Sequence, residues 1–281
     1  MARRTFTELT NAHPCFAKGS KPNKGRIHLP VSPGCNISCR FCDRKRDDVT
    51  QAPGVSSSIV TPEEAVGALR RALELCPEIT VAGIAGSGES LATPYALETF
   101  RLIEREFPDI IKCMSTNGLL LPQYADEIIA AKVDTLTVTV NAVAPEILAQ
   151  IVDGADPDVL IRNQLAGIRA VTAAGVTVKV NTVLIPEINA DHIAAIAKKI
   201  SKAGAKIYNI IPLIPQKELA WCSAPGCAEI NAARAAAEQY IPVFRHCQRC
   251  RADAAGMLGG TDISRQIYAR TINAENTFSH G

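Results

Sequence analysis

The chain has 281 residues and a formal net charge of +2, so its charge gives no electrostatic basis for binding nucleic acid or an anionic membrane surface. Hydrophobic residues make up 47% and charged residues 21%, which is typical of a globular protein with a large core. No run approaches the roughly 18 apolar residues of a membrane-spanning helix, so the composition excludes a helical membrane protein.

Ten cysteines are the unusual feature of the composition. Residues 1–8 contain no apolar segment of the kind found in a secretory signal, so we expect a cytoplasmic protein. Thiols stay reduced in that compartment. The cysteines are therefore better explained as metal ligands than as disulfides.

Residues 1–25 are polar and rich in turn formers, and we predict an arm without a packed element. Short apolar or β-branched runs then predict six strands, at 26–32, 79–85, 110–115, 135–140, 176–184 and 207–211. Helices with apolar stripes alternate with these strands. Thr61 and Glu64 have the spacing of a capping box, and Asn189 is expected to cap a later helix. Gly175 and Gly204 stand where two of the helices should end.

Strands that alternate with helices imply βαβ units and a parallel sheet, which right-handed crossovers curl into a barrel or part of one. The predicted fold class is therefore α/β and TIM-like, with an N-terminal arm at 1–25 and a barrel at 26–215. A C-terminal helical and loop extension at 216–281 contains an Ala-rich helix near 229–240 and a C-x2-C pair. Functional groups of such barrels gather on the loops that follow the strands.

Three cysteines follow the first predicted strand in the pattern C-x3-C-x2-C, namely Cys35, Cys39 and Cys42. Three thiolates on one loop can hold three irons of a [4Fe–4S] cluster, which four cysteines normally close, and leave the fourth iron open to S-adenosylmethionine (SAM). A structural zinc site is the alternative if a fourth cysteine comes from elsewhere. With Phe41 before the last cysteine, the spacing resembles the radical-SAM superfamily, in which SAM is cleaved to a 5′-deoxyadenosyl radical.

A glycine-rich loop with an acid at its end follows the second predicted strand, and its residues are Gly86, Ser87, Gly88 and Glu89. Its place and residue types match the radical-SAM element that holds the SAM amino group, although such a loop is otherwise an ordinary turn. Polar side chains near the ends of later strands, together with Phe41 of the cysteine loop, complete the candidate cofactor-binding set, which adds Phe41, Ser115, Thr116, Asn117, Asn141 and Asn181. Each of these polar residues can instead be a cap or turn residue.

Seven cysteines lie outside the C-x3-C-x2-C loop. Cys76, at the end of a helix, is expected to be a buried small hydrophobe. Three interpretations remain open for Cys222 and Cys227: a zinc site, a further cluster, or no bound metal. The candidate metal ligands are His13, Cys15, Cys113, Cys247 and Cys250. A buried thiol is the alternative for each cysteine, and we expect both chain ends to fold over the barrel mouth.

Eight stretches in order resemble the NifB family, the radical-SAM maturases of the nitrogenase cofactor: His13-Pro-Cys15, Cys35-Asn-Ile-Ser-Cys-Arg-Phe-Cys42, Arg44-Lys45, Pro53-Gly-Val55, Gly83-Ile-Ala-Gly86, Cys113-Met-Ser-Thr-Asn-Gly-Leu119, Asn209-Ile-Ile-Pro-Leu-Ile-Pro215 and Cys247-Gln-Arg-Cys-Arg-Ala-Asp253. The resemblance covers nearly the whole chain. It matches the short form, in which no carrier domain follows the C-x2-C pair.

The resemblance implies a partial (β/α)6 barrel and three [4Fe–4S] clusters, one of which is the SAM cluster. The other two are fused, with a carbon from SAM and added sulfur, into an eight-iron precursor. Cys15, Cys247 and Cys250 would hold one substrate cluster, and His13 and Cys113 would help hold the other. The implied partners are an electron donor such as ferredoxin, a cluster donor and cofactor-scaffold proteins.

The chain departs from the family pattern after its third SAM-cluster cysteine. Asp48 stands where a further cluster-binding cysteine is expected, and Thr50-Gln-Ala52 replaces Glu-Ser-Arg. Either Asp48 ligates iron through oxygen, or the second substrate cluster is bound differently, or the chain is a paralogue with one auxiliary cluster and an organic or peptide substrate. Cys113 and Asp48 are the candidate catalytic residues.

Overall fold

The computed structural model describes residues 3–17 and 23–268. The remaining residues of the predicted arm and extension, at 1–2, 18–22 and 269–281, lie outside the described residues. Within the described ranges, no helix is both long enough and apolar enough to span a bilayer.

Helices of the described ranges are α1 Phe6–Ala12, α2 Pro62–Leu75, α3 Tyr95–Glu106, α4 Leu121–Ala130, α5 Pro145–Leu148, α6 Pro157–Ala173, α7 Pro186–Asn189, α8 Ile193–Ala203, α9 Cys227–Glu238 and α10 Ser264–Ile267. Strands are β1 Gly25–His28, β2 Ser38–Cys39, β3 Ile79–Ile84, β4 Ile111–Thr116, β5 Thr135–Thr139, β6 Val152–Asp153, β7 Thr177–Leu184, β8 Ile207–Pro212, β9 Val243–Phe244 and β10 Ala255–Met257. The six predicted strands correspond to β1, β3, β4, β5, β7 and β8.

One curled eight-stranded sheet forms a half-barrel in the order β10-β1-β3-β4-β5-β7-β8-β9. Its strands pair in parallel from β1 to β9, and β10 pairs antiparallel with β1. Both edge strands come from the C-terminal extension, which the sequence had not predicted to join the sheet. A separate antiparallel pair, β2 with β6, holds the middle of the cysteine loop.

The outer helices pack apolar stripes against the sheet. Leu69 of α2, Phe100 and Ile103 of α3 and Ile196 of α8 are fully buried in one continuous core. Each such side chain contributes about 1.5–3 kcal/mol through removal from water. This layer makes the sheet a rigid support for loops at its carboxyl edge.

Helix boundaries follow the predicted signals with one exception. The capping box at Thr61 is present, because Glu64 N–H donates to Thr61 Oγ1 at 3.2 Å and Thr61 N–H donates to Glu64 Oε2 at 2.8 Å. Gly204 ends α8 at φ +106°. Asn189 stands at the N-cap position of the 3₁₀ turn at 190–192 that leads into α8, as predicted, but its side chain makes no cap hydrogen bond. Its buried amide donates instead to the carbonyl oxygens of Asn141 and Val183.

The N-terminal arm is packed, contrary to the prediction. Leu9 contacts Val81 and Ile111, and Phe16 packs against Ile207 and the C-terminal extension. Arg3 and Arg4 bond to groups in the loops that precede β4 and β5. The arm therefore closes the half-barrel at the amino ends of the strands, opposite the mouth over which it was expected to fold. Burial of its few apolar side chains outweighs its polar composition.

Candidate functional site

Two adjoining cavities occupy the inside of the half-barrel. The upper cavity, of about 240 Å³, lies at the carboxyl ends of the strands. The lower chamber, of about 130 Å³, lies deeper, towards the arm. Residues that line both are Pro53, Ala85, Ser115, Asn181, Ile211 and Arg249.

Strand alternation explains why the two cavities share walls. On β7, Lys179 lines the lower chamber, Asn181 lines both cavities and Val183 lines the upper cavity. On β4, Cys113 lines the lower chamber and Ser115 lines both. Every second residue of a strand points to the same side of the sheet. Two successive inward-facing residues, such as Cys113 and Ser115, are therefore about 6.6 Å apart along the strand. The strands therefore connect the cavities through consecutive inward side chains.

The three cysteines of the C-x3-C-x2-C loop line the upper cavity. Cys42 N–H donates to Cys39 O at 2.9 Å, and a bidentate pair between Arg40 and Asp153, at 2.8 Å for each bond, attaches the loop to β6. Burial raises the pKa of the Cys35 thiol to about 12 and raises that of Cys39 as well. Both thiols stay protonated at neutral pH unless a metal displaces the proton.

Three thiols around one cavity suit an iron–sulfur cluster, because a cluster takes one thiolate on each of several irons. Among the described residues, no group of three or more His, Cys, Asp or Glu side chains is placed to hold a single metal ion.

The glycine-rich loop lies directly against the cysteine loop. A Cβ on Gly88 would be 2.3 Å from Gly34 O, so only glycine allows this approach. The preceding Ser87 does not line the upper cavity, contrary to its expected cofactor role. Its buried hydroxyl donates to Ser32 O at 2.9 Å, because the strained turn, with φ +65° at Ser87, points the side chain at the backbone of the first loop.

Glu89 lines the upper cavity and is held by three donors. Its carboxylate accepts from Thr116 Oγ1 at 2.5 Å, from Asn117 N at 2.6 Å and from Leu91 N at 3.1 Å. Burial raises the pKa of Glu89, although these hydrogen bonds and Arg44 oppose the rise. The carboxylate has capacity for one more donor, such as an ammonium group.

The remaining predicted cofactor-binding residues are brought together on the same wall. Phe41, Ser115, Thr116, Asn117, Asn141 and Asn181 all line the upper cavity. Asn181 Oδ1 accepts from Asn209 Nδ2 at 3.1 Å, and Asn141 Oδ1 accepts from the backbone of β7 at 3.0 Å. Their amide groups are thus oriented before any ligand binds.

The lower chamber gathers five predicted ligands from distant parts of the chain: His13, Cys15, Cys113, Cys247 and Cys250. Burial raises the pKa of Cys15 to about 12 and raises the pKa of Cys113. Burial and the nearby Lys179 lower the pKa of His13, so its ring is neutral. His13 Nδ1 accepts from Cys15 N–H at 3.1 Å, and its buried Nε2 has no hydrogen-bond partner. The thiols of these four cysteines and the unpartnered nitrogen of His13 line one chamber and suit a bound iron–sulfur group.

Comparison with known proteins agrees with this geometry. Residues 29–200 match the family model of the Radical SAM superfamily. The FeMo cofactor biosynthesis protein NifB of Methanocaldococcus infernus is 43% identical over 96% of this chain and 94% of its own. The chain belongs to the NifB family. The NifB of Methanocaldococcus jannaschii is 41% identical over 97% and 95% of the two chains.

A crystal structure of a radical SAM methyltransferase from Sphaerobacter thermophilus has the same fold. It aligns with a TM-score of 0.59 and 20% identity over 80% of this chain and 66% of that chain. As a NifB-family member within the radical SAM superfamily, the chain is a SAM-dependent enzyme that uses [4Fe–4S] clusters.

Sequence reasoning missed several polar residues of this NifB-family site. Arg26, His28, Lys179 and Asn209 line the lower chamber, and Arg44 lines the upper cavity beside the cysteines. The signal for Lys179 was present, since a lysine inside an apolar, β-branched strand must face either solvent or a polar interior. Only the closed sheet shows which of the two applies.

Asp48 lines neither cavity of the NifB-family chain. Its carbonyl oxygen accepts from Arg265 at 3.1 Å. Cys222 is buried in an apolar cluster, Cys227 is exposed at the start of α9, and neither lines the upper cavity or the lower chamber. Cys76 is buried in the core, which confirms its prediction.

A buried ion pair fastens the segment that follows the cysteine loop. Arg251 pairs with Asp253 at 2.9 Å and donates to Thr50 O at 2.7 Å and to Asp47 O at 2.8 Å. Asp253 also accepts from Ser57 N at 2.6 Å. Burial alone would raise the pKa of Asp253, but the bonds from Arg251 and Ser57 lower it. This pair holds the tail that contains the C-x2-C cysteines against the shared wall of the cavities.

Proposed function

We propose that this protein acts in FeMo cofactor biosynthesis. Its reaction would fuse two [4Fe–4S] clusters, with a carbide derived from SAM and an added sulfur, into the eight-iron precursor of the nitrogenase cofactor. The relatives named for that pathway support the role. The observation that carries it is the lower chamber, where five candidate ligands from both chain ends adjoin the SAM cavity.

The upper cavity would hold the resident cofactors. Cys35, Cys39 and Cys42 would bind a [4Fe–4S] cluster, which when bound supplies the electron that cleaves SAM. Glu89 would accept from the SAM amino group through its remaining lone pair. Asn117 and Asn141 offer amide groups for ribose or carboxylate oxygens. Apolar side chains on the same wall, such as Leu148 and Ile214, would exclude water from the reactive carbon.

The lower chamber would hold the iron–sulfur substrates. Cys15, Cys247 and Cys250 would bind one cluster, and His13 and Cys113 would help bind the other. A group held at Cys113 lies one strand step, about 6.6 Å, below Ser115, which faces both cavities. Cys113 would therefore present substrate at the boundary where the radical is formed.

This role requires partners that the chain itself does not supply. An electron donor such as ferredoxin would reduce the SAM cluster, cluster donors would load the lower chamber, and a cofactor-scaffold protein would receive the product. All of these steps would take place in the cytoplasm.

Anaerobic reconstitution tests the proposal. Protein loaded with iron, sulfide and SAM, in the presence of a low-potential reductant, should yield a product that activates cofactor-free nitrogenase component. Cys15→Ala should still cleave SAM but yield no activating product. Efficient SAM cleavage by wild type without any activating product would contradict the proposed function.

A second candidate is a radical-SAM paralogue with one auxiliary cluster that acts on an organic or peptide substrate. The position of Asp48 favours it, since this replacement for a family cysteine lines neither cavity. The maturase should bind about twelve irons per chain and the paralogue about eight. An iron content of about eight per chain in wild type that rises to about twelve in Asp48→Cys would support the paralogue.

A further inference from the structure

Two cations are buried in the lower chamber without a carboxylate partner. Arg26 is 7% exposed and Lys179 is 6% exposed, and both side chains line the chamber. Among the described residues that line it, none is Asp or Glu. Burial of an uncompensated charge is costly, and proteins normally offset it with an opposite charge.

Elsewhere the same sheet does offset a buried lysine. Lys112 on β4 is 1% exposed and donates to Glu104 at 2.6 Å. The Lys179 ammonium instead donates to a neutral carbonyl oxygen, that of Cys15, at 3.3 Å. Two lysines with similar burial thus differ: a carboxylate balances the charge of Lys112, whereas a neutral carbonyl oxygen is the hydrogen-bond acceptor of Lys179.

Lys179 also lies where three segments meet. Its Nζ is 4.8 Å from the ring centroid of Phe16 in the arm and 5.3 Å from that of Phe244 in the C-terminal extension. Phe16 directly follows the candidate ligand Cys15 in the arm, and Phe244 shortly precedes the candidate ligand Cys247 in the extension. The ammonium therefore contacts both segments that contribute cysteines to the chamber.

Arg26 completes the arrangement from β1. It donates to Cys250 Sγ at 3.1 Å and to Gly256 O at 2.7 Å, and its buried Nε has no hydrogen-bond partner. A guanidinium that donates to a thiol sulfur would bind a thiolate more strongly, because charge-assisted hydrogen bonds are stronger than neutral ones.

We propose that Lys179, together with Arg26, makes the lower chamber a site for an anion, and that Lys179 balances the charge of a thiolate-bound iron–sulfur cluster there. The inference rests on the proposed function for the identity of the anion. Thiolates and sulfides give such clusters net negative charge, which nearby cations stabilise while raising the reduction potential. Lys179 is a charge-balancing residue and takes no part in bond breaking.

Lys179→Met and Lys112→Met form a matched pair of tests. After anaerobic reconstitution without SAM, Lys179→Met should lose about four irons per chain relative to wild type, or keep them at a more negative midpoint potential in an EPR-monitored titration. Lys112→Met should match wild type in both readouts. Unchanged iron and potential in Lys179→Met, or an equal iron loss in Lys112→Met, would overturn the inference.

The stability of the cluster-free full-length chain gives a second readout, in which the two variants should change the urea midpoint in opposite directions. Lys179→Met should raise the urea midpoint, because it removes a cation that no anion compensates, and Lys112→Met should lower it, because Glu104 loses a partner. A lower midpoint in Lys179→Met would overturn the inference. If wild type binds only about four irons, the proposed function fails instead, and the stability comparison still tests the charge argument.

Discussion

The upper cavity and the lower chamber are built differently. Polar groups of the upper cavity come from short stretches of sequence and bond to each other, as Glu89 does with Thr116 and Asn117. Side chains of the lower chamber come from both chain ends, and several buried atoms there, including His13 Nε2 and Asn209 Oδ1, have no partner. In the upper cavity, by contrast, only Gln164 Oε1 is such an atom among the described lining residues. The polar groups of the upper cavity are therefore mostly paired without a ligand, whereas the lower chamber leaves more of its polar atoms for a ligand to bind.

This difference indicates how each region tolerates change. A satisfied network resists loss of its ligand, since its hydrogen bonds persist. A chamber with orphaned atoms and unpaired cations gains stability when an anionic ligand binds. Variants that separate the two cavities therefore test the comparison directly.

The largest effect is expected from loss of a cysteine in the upper cavity. Cys39→Ala should lower 5′-deoxyadenosine formation more than about 100-fold. Loss of a residue that only hydrogen-bonds to a metal ligand already lowers metal affinity or activity about 10–100-fold, and Cys39 would be a ligand itself. Iron in the lower chamber should remain, as counted by iron and acid-labile sulfide analysis. Loss of iron from both cavities would show that they are not independent.

The reciprocal change is in the arm. Cys15→Ala should remove one cluster, about four irons per chain, and leave SAM cleavage at the wild-type rate, because Cys15 does not line the upper cavity. Iron counting and product analysis on the same sample test this. A parallel fall in SAM cleavage would contradict the separation of the cavities.

Asp253→Asn tests the ion pair that attaches the tail to the shared wall. Arg251 would lose the nearer of its two carboxylates and keep the longer pair with Asp47, at 3.8 Å, so the cost in urea unfolding should be at most about 3–5 kcal/mol. The folded state lowers the pKa of Asp253, so its contribution is present above the unfolded pKa and disappears as pH falls through the folded pKa. The difference between variant and wild type should therefore vanish in acid.

The control for that prediction is the exposed pair of Arg40 with Asp153. Asp153→Asn should cost less than about 1 kcal/mol, since solvent screens exposed ion pairs. Equal costs for the two variants would show that burial does not set the strength of the Arg251 pair.

The smallest effect is expected outside both cavities. Cys227→Ala should leave iron content unchanged and stability within about 0.5 kcal/mol, because its side chain is exposed and lines neither cavity. Measurable iron loss would assign Cys222 and Cys227 a metal that the cavities do not explain.

Several elements were predictable because their signals are local. Apolar and β-branched runs placed the six main strands, and the capping box at Thr61 marked the start of α2. The arm was mispredicted, since the burial of Leu9 and Phe16 depends on strands far along the chain. The side-chain bonds of Asn189 were not predicted for the same reason, because its partners lie on β7 and after β5.

The sequence by itself determined the three-cysteine loop, because ligands a few residues apart share one tight turn whatever surrounds it. Only the tertiary structure decided the lower chamber. Arg26 and Cys250 are 224 residues apart, and their contact depends on β10 joining the sheet beside β1. Whether Lys179 faced solvent or the interior likewise depended on closure of the half-barrel by the arm. Contacts over such separations arise from packing, which no local pattern encodes.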